Sequence, residues 1–169
     1  MVRILGVDPG SHKTGWGVID VQGTRYTRVA SGTIVARGAH LGQRLVHIVE
    51  GLERVLEDHR PNQGALEAIF HAKNSQSALK LGHARGVAML ALARAGLDIC
   101  EYTPSQVKQA ATGAGRASKE QVAHMVHLLL GGCPELGLDE SDALAVAICH
   151  GQFNQSSVSK VSLGQQRGG

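Results

Sequence analysis

"RILGVDPGSHKTGWGVI", residues 3–19, is the stretch that decides the fold. An apolar run of strand character ends at Asp8, turns at Pro9 and Gly10, and resumes as a second apolar run. This pattern predicts two strands joined by a short turn. A carboxylate at the end of a buried strand is costly unless something pairs with it. No partner is visible within this stretch, so the rest of the chain must supply one.

Length, composition and cysteine usage limit the class of protein. The chain has 169 residues and is 43% hydrophobic, which predicts one well-packed domain. Its 17 Lys and Arg residues against 14 Asp and Glu residues permit a polyanionic partner without requiring one. Cys100, Cys133 and Cys149 have no C-x-x-C spacing, so we expect a reduced, cytoplasmic protein without a zinc site. No apolar run reaches the roughly 18 residues of a membrane span, so no membrane association is expected.

The order of periodic segments predicts an α/β fold with a mixed sheet and flanking helices. Strands are expected at residues 3–8, 15–20, 25–36, 64–70 and 98–102, and helices at residues 41–59, 76–95, 118–130 and 139–153. The first three strands follow one another directly, which predicts an antiparallel arrangement. Residues 154–169 are polar and rich in Ser, Gln and Gly, which predicts a disordered tail after a domain at residues 1–153.

Four carboxylates stand at unusual positions. Glu67 lies within the apolar strand "GALEAIF" and repeats the puzzle of Asp8, while Asp139 and Asp142 share one face of the last helix. A structural interpretation remains open for the helix pair, because acids in a first turn complement the helix dipole and Asp139 could be the N-cap. An exposed edge strand could carry one of the strand acids, but hardly both.

Convergence of these acids would imply metal chemistry. Like charges at close range cannot all stay ionised without a cation. Oxygen ligands suit Mg²⁺ or Mn²⁺, and two such ions about 4 Å apart can activate water on one side of a phosphodiester and stabilise the leaving oxygen on the other. The four carboxylates therefore predict a nuclease.

Four blocks of sequence resemble the RuvC-type Holliday junction resolvases over nearly the whole chain to about residue 153. The blocks are "GVDPGSHKTGWG", "ALEAIFHAKNSQSALKLGHARG", "QVKQAATGAGRASKEQV" and "DESDALAVAI", in this order. The resemblance implies an RNase H-like fold, a homodimer, and Mg²⁺-dependent nicking of two opposed strands of a four-way DNA junction in recombination and repair. It also implies two metal ions per site, with Mn²⁺ able to replace Mg²⁺, and a branch-migration helicase complex as partner.

The resemblance assigns roles to individual residues of this sequence. The catalytic, metal-binding acids would be Asp8, Glu67, Asp139 and Asp142. Lys108 and Lys119 match family lysines, and Phe70 matches an aromatic residue that stacks on a base at the junction centre. Without the resemblance, a core residue at a strand end is the alternative interpretation of Phe70.

Basic and small residues fill the middle two blocks. The basic residues are Lys73, Lys80, Arg85, Lys108, Arg116 and Lys119. Such a run is often only a solvated face, but beside a metal-binding acid cluster it predicts contacts to DNA phosphates. Ala78, Gly82, Gly86 and Ala93 permit close helix packing, either within the chain or across a dimer. Spacing alone does not choose between these two interpretations.

Three other functions share parts of this pattern. Actin-like and sugar-kinase ATPases also begin with a strand, an Asp-x-Gly turn and a second strand, but they need two such domains and do not require Glu67. A non-catalytic DNA-binding module would be expected to have lost some of the acids. A related nuclease acting on structured RNA would differ in its substrate.

Overall fold

The computed structural model describes residues 1–68, 74–132 and 136–164, with side chains as far as residue 154. The strands are β1 (Val2–Asp8), β2 (Lys13–Gln22), β3 (Arg25–Val35), β4 (Gln63–Glu67) and β5 (Asp98–Tyr102). The helices are α1 (Leu41–His59), α2 (Ser75–Arg94), α3 (Pro104–Thr112), α4 (Lys119–Leu129) and α5 (Leu138–Gly164). The described helices include none that is long and apolar enough to cross a membrane.

All five strands form one mixed sheet in the order β3-β2-β1-β4-β5. Strands β1, β2 and β3 pair antiparallel, as predicted, and β4 and β5 add to β1 in parallel. Parallel strands need a crossover connection, and here α1 and α2 provide it. The carboxyl ends of β1 and β4 therefore meet at the same edge of the sheet.

Helices cover both faces of the sheet, so the alternating side chains of β1 enter two hydrophobic clusters. Ile4 belongs to the cluster beneath α3, α4 and α5, whereas Leu5 and Val7 belong to the cluster beneath α1 and α2. Burial on both faces explains why β1 is apolar almost throughout rather than alternating in polarity.

Helix α5 approaches the sheet unusually closely because glycines face it. A Cβ atom on Gly15 of β2 would collide with the main-chain oxygen of Asp139, and one on Gly6 of β1 would collide with that of Ala143. Any side chain at either position would therefore push the helix away from the sheet. These glycines set the distance between the first turns of α5 and the carboxyl end of β1.

A buried polar network anchors the middle of the same helix. The Tyr102 hydroxyl and His150 Nδ1 are 2.8 Å apart, and His150 Nε2 lies 3.1 Å from Gln63 Oε1. His150 is 2% exposed, and burial lowers its pKa, so its neutral form is favoured. The ring thereby connects α5 to both β4 and β5.

The structure differs from the sequence-based expectation at three places. Helix α3 was not predicted, although Thr103 and Gln106 form a capping box around it and Pro104 occupies its first turn. Strand β4 ends at Glu67 rather than at residue 70. Helix α5 continues to Gly164, beyond the predicted end at Phe153. The domain boundary at residue 153 stays a prediction.

Candidate active site

Two carboxylates lie side by side where neighbouring parallel strands end. Val7 of β1 pairs with Leu66 of β4, so Asp8 and Glu67 are the next residues on adjacent strands. Neighbouring strands are about 4.8 Å apart, which brings the two acids into direct interaction. The sheet alone therefore positions half of the predicted acid set.

Helix α5 carries the other two carboxylates to the same edge. Asp139 and Asp142 lie in its first two turns, and the charges of both raise the pKa of Asp8. The helix begins at Leu138, so Asp139 lies inside the first turn and is not the N-cap. The close contact at Gly15 holds this part of the helix against β2.

A cavity of about 360 Å³ connects the acids to the two predicted lysines. Its lining residues are Asp8, Glu67, Pro104, Val107, Lys108, Lys119, Val122, Asp142 and Ala145. Lys108 comes from α3, whereas Lys119 begins α4 directly after the capping-box residue Ser118. Asp139 does not line this cavity. Three carboxylates, two ammonium groups and an apolar wall thus enclose one space.

Asp8 is the most strongly perturbed acid of the cluster. Burial and the charge of Glu67 are the two largest causes that raise the pKa of Asp8 to about 7, while Lys119 lowers it. Burial also raises the pKa of Glu67, with a further increase from Asp142 and a decrease from Lys119 and from a hydrogen bond with Asp8. The two strand acids therefore favour holding a proton between them when no cation is bound.

Asp142 has a cationic partner within the chain. Lys119 Nζ donates a hydrogen bond to Asp142 Oδ2 at 2.9 Å, and this contact raises the pKa of Lys119. The lysine side chain is 67% exposed, so it is free to move away. An ammonium group thus supplies part of the positive charge that the carboxylate cluster requires.

The donor set fits a hard divalent cation. Carboxylate oxygens are the ligands that Mg²⁺ and Mn²⁺ prefer. Burial, together with the negative charges of the neighbouring acids, raises the pKa of Asp8, so a bound cation would favour its ionised form. Within the described part of the chain, no three acidic, His or Cys side chains are already gathered closely enough to hold an ion.

A further polar contact near the site was not predicted from the sequence. Ser31 Oγ of β3 donates a hydrogen bond to Glu140 Oε2 at 2.8 Å, and Arg28 Nε donates to Ser31 Oγ at 2.9 Å. Glu140 lies between the two helix aspartates, so this contact ties the first turn of α5 to the edge strand. Its partners are 109 residues apart, and no local pattern could have revealed the pairing.

Three of the remaining predicted DNA contacts, Lys80, Arg85 and Arg116, do not line the cavity. Lys80 is exposed on α2, and Arg116 is exposed between α3 and α4. Arg85 forms an ion pair with Glu101 of β5. Phe70 and Lys73 fall outside the described residues. The DNA-binding roles of these five residues stay predictions.

Comparison with known proteins identifies the family to which this chain belongs. Residues 4–150 match the family described as "Crossover junction endodeoxyribonuclease RuvC". The chain belongs to the RuvC family. Enzymes named crossover junction endodeoxyribonuclease RuvC resemble it over most of its length. The Syntrophotalea carbinolica enzyme is 55% identical over 88% of this chain and 93% of its own. The Ruegeria pomeroyi enzyme is 48% identical over 92% of this chain and 94% of its own.

Solved structures agree with this membership. The structure of Thermus thermophilus RuvC in complex with a Holliday junction substrate has a TM-score of 0.87 and 31% identity, and the match covers 93% of this chain and 97% of that one. The yeast mitochondrial Holliday junction resolvase Ydc2 has a TM-score of 0.67 at 12% identity over 94% of this chain and 81% of its own, which supports the fold alone. The predicted RNase H-like fold is confirmed. RuvC-family enzymes are nucleases that depend on divalent metal ions.

Proposed function

We propose that this protein resolves four-way (Holliday) DNA junctions by metal-dependent hydrolysis of one phosphodiester in each of two opposed strands of like polarity. One observation carries the proposal: Asp8, Glu67 and Asp142 meet in a single cavity together with Lys108 and Lys119. Family membership supports the same reaction. Recombination and DNA repair are the processes that require it, and the cytoplasm is then the expected location.

The four acids are assigned as the metal ligands. Asp8, Glu67 and Asp142 line the cavity, and Asp139 is close enough to raise the pKa of Asp8. Bound Mg²⁺, or Mn²⁺ in its place, would activate the attacking water and stabilise the leaving oxygen, with two ions per site. The chain itself provides the fixed framework, because two of the acids end strands of a buried sheet.

The lysines and Phe70 are assigned to the DNA. Lys108 and Lys119 face the acids across the cavity, where an ammonium group can neutralise a phosphate oxygen. Phe70 follows β4 in sequence and is assigned to stacking on a base at the junction centre, a contact worth roughly 1–3 kcal/mol. Lys73, Lys80, Arg85 and Arg116 are assigned to phosphates further from the cut.

A homodimer is proposed because one acid cluster makes one cut at a time. A two-fold dimer presents two clusters to the two symmetry-related strands of a junction. Helix α2 offers a surface for it: Leu79 and Leu90 are 64% and 55% exposed, and a Cβ atom on Gly82 or Gly86 would meet no other atom within 4 Å. These residues line one apolar depression of about 770 Å³ together with Leu45 of α1. A branch-migration helicase complex is the further partner that the family suggests.

The dimer is tested by a charge on this surface. Gly86→Glu should favour monomers in sedimentation and release singly nicked junctions. A native protein that stayed monomeric at micromolar concentration, yet made both cuts in one binding event, would contradict this part of the proposal.

The main test compares three substrates. Purified protein with Mg²⁺ should cleave a synthetic four-way DNA junction symmetrically and leave linear duplex and structured RNA largely intact, and the Asp8→Asn variant should cleave none of them. Preferential cleavage of RNA would favour the related RNA nuclease. Nucleotide binding without DNA, combined with no cleavage, would favour an ATPase.

A further inference from the structure

We infer that a second DNA-binding surface lies beside the cavity, where it holds the phosphates of the duplex arm that leaves the cleavage site. This edge surface consists of His12 and Lys13 at the start of β2, Arg37 and His40 between β3 and α1, and Arg44 and His47 in the first turns of α1. The inference rests on the proposed function and specifies where the substrate extends beyond the catalytic cavity.

The edge surface arises from an uneven distribution of charge along the chain. Between residues 9 and 49 the sequence contains five Lys or Arg residues and a single acid, Asp20. Asp20 is already paired with Arg3, at 2.8 Å. The first turn of α1 also contains no acidic residue. The segment therefore has an excess of positive charge that no acid within it compensates.

Hydrogen bonds assemble the three parts of this surface. The main-chain nitrogen of Ala36, one residue before Arg37, donates to the main-chain oxygen of His12 at 2.8 Å. Arg44 Nη1 lies 3.2 Å from His12 Nε2, which connects α1 to the turn before β2. Lys13 pairs in register with Val35 at the end of β3. These contacts gather the cations from three segments at one end of the sheet, with Lys13 on the face that α5 covers and Arg44 on the helix that covers the other face.

The charges of this surface are available to a partner. Lys13, Arg37 and the histidines are exposed, and Arg44 is half-buried. In the described portion of the molecule, Lys13, Arg37 and Arg44 form no ion pair. This distinguishes them from Arg28, Arg85 and Arg94, which each face a glutamate. An anionic ligand would therefore not have to break an existing pair.

The sheet register places the surface next to the acids. Asp8 pairs with Gly15, and Lys13 lies two residues further along the same strand. Residues two apart on a strand point to the same face, so Lys13 projects on the face that carries the Asp8 side chain. Two residues span about 7 Å along a strand, and neighbouring strands are about 5 Å apart. The Cα atom of Lys13 is therefore within about 10 Å of the Cα atom of Asp8.

This arrangement flanks the cleavage position with cations on two sides. Lys108 and Lys119 come from α3 and α4, whereas the edge surface comes from β2, β3 and α1. Duplex DNA carries a phosphate about every 3.4 Å along each strand, so a strand cut at the acids has further phosphates within reach of Lys13 and Arg37. A duplex arm is therefore the partner that matches both the charge of the surface and its position beside Asp8.

The test measures how junction binding depends on salt. Lys13→Ala/Arg37→Ala removes two charges from the edge surface. Arg25→Ala/Arg60→Asn is the matched control, because it removes two charges from the opposite end of the strands. Asn suits the left-handed backbone of Arg60, whose φ is 46°. Binding is measured in the Asp8→Asn background so that the junction stays intact, and thermal unfolding checks that both variants fold.

The edge variant should bind a four-way junction on the order of tenfold or more weakly at 0.1 M salt, and the slope of log K against log salt should become shallower by roughly 1.8 units. The control should keep the wild-type slope. With Asp8 restored, the edge variant should need a higher enzyme concentration for half-maximal cleavage, in proportion to its weaker binding. An unchanged slope, or an equal change in the control, would overturn the edge surface while leaving junction cleavage established. A wild-type protein that neither bound nor cleaved junctions would overturn both inferences.

Discussion

The two strand carboxylates and the helix carboxylate Asp142 share one cavity but differ in how their charge is compensated. Asp8 and Glu67 end adjacent strands, and burial is the main cause of the raised pKa of each. Asp142 is held by the Lys119 ammonium group, at 2.9 Å. The strand pair therefore lacks a cation that the helix residue already has.

This difference suggests which protons and contacts would change when a metal ion binds to the site. The two buried strand carboxylates favour retaining a proton when no cation is bound, whereas Asp142 already accepts a hydrogen bond from Lys119. If the acids hold a divalent ion as proposed, binding would be linked to loss of the proton from the strand pair and of the Lys119 contact with Asp142. The following experiments disturb one side of this comparison at a time.

The largest effect is expected from removing a strand ligand. Glu67→Gln or Asp8→Asn should reduce junction cleavage on the order of 10³-fold or more, because an amide keeps the shape but loses the charge that binds the ion. Junction affinity should change by no more than a few-fold in a gel-shift assay. Asp139→Asn and Asp142→Asn should also abolish cleavage. Near-normal cleavage by Glu67→Gln would contradict the assignment of the strand pair as ligands.

Stability should depend on pH through Asp8 in metal-free protein. Below about pH 4 Asp8 is protonated in both states; between pH 4 and its folded pKa of about 7, only the folded state keeps the proton. The free energy of unfolding should therefore fall as pH rises through this window. Asp8→Asn should be more stable than wild type by on the order of 3 kcal/mol at pH 8 and equally stable at pH 4.

Urea unfolding with a chelator measures this difference. At pH 8, Mg²⁺ should reduce the difference in the free energy of unfolding between Asp8→Asn and wild type, because only the folded wild type binds the ion at this site. A gap that was the same at pH 4 and pH 8 would show that Asp8 does not carry the proton.

Lys119 connects the two sides of the comparison. Lys119→Gln should lower the cleavage rate roughly tenfold to thirtyfold through the loss of a charged contact. Since Lys119 lowers the pKa of both Asp8 and Glu67, its removal should raise these values and move the acidic limb of the pH–rate profile to higher pH. Lys119→Arg keeps the charge and should leave that limb near its wild-type position. Identical pH–rate profiles for the wild type, Lys119→Gln and Lys119→Arg would show that the charge of Lys119 does not influence the pKa of the acids.

The smallest effect is expected from the contact between β3 and α5. Ser31→Ala removes the hydroxyl that donates to Glu140, which should cost about 1 kcal/mol in the free energy of unfolding. The Mn²⁺ concentration for half-saturation in a direct binding titration should rise roughly threefold to fivefold, because less than 1 kcal/mol of ligand positioning is lost. The maximal rate should stay the same. Thr27→Ala, at an exposed position of the same strand, serves as control; equal metal affinity in both variants would contradict this role.

The sequence predicted the parts of this site that depend on local pattern. Asp8 and Glu67 stand out because each carboxylate interrupts or ends an apolar run, and the strands that carry them were found at nearly their observed positions. Ser118 and Gln121 form the predicted capping box of α4. Helix α3 was not predicted, although "TPSQ" at residues 103–106 carries the same type of signal, because a helix of nine residues is too short to show a clear helical periodicity.

The pairing of distant side chains could not be predicted from local pattern. Nothing near Lys119 specifies that its ammonium group reaches Asp142, 23 residues later. Glu140 could have been interpreted as one more acid in a helix start, whereas it contacts Ser31 on the far edge strand. Such contacts depend on the three-dimensional course of the chain.

The glycine contacts beneath α5 limit which substitutions this protein can accept. At Gly15 the atoms that collide with a side chain belong to the backbone of Asp139, so no repacking of neighbouring side chains can make space. Even alanine would have to displace the helix that carries two of the four acids. In a library of all single substitutions, we expect Gly6 and Gly15 to be as intolerant as the four acids, although neither glycine has a functional group. Selection at these two positions would then act on the space available for a Cβ atom rather than on the chemistry of a side chain.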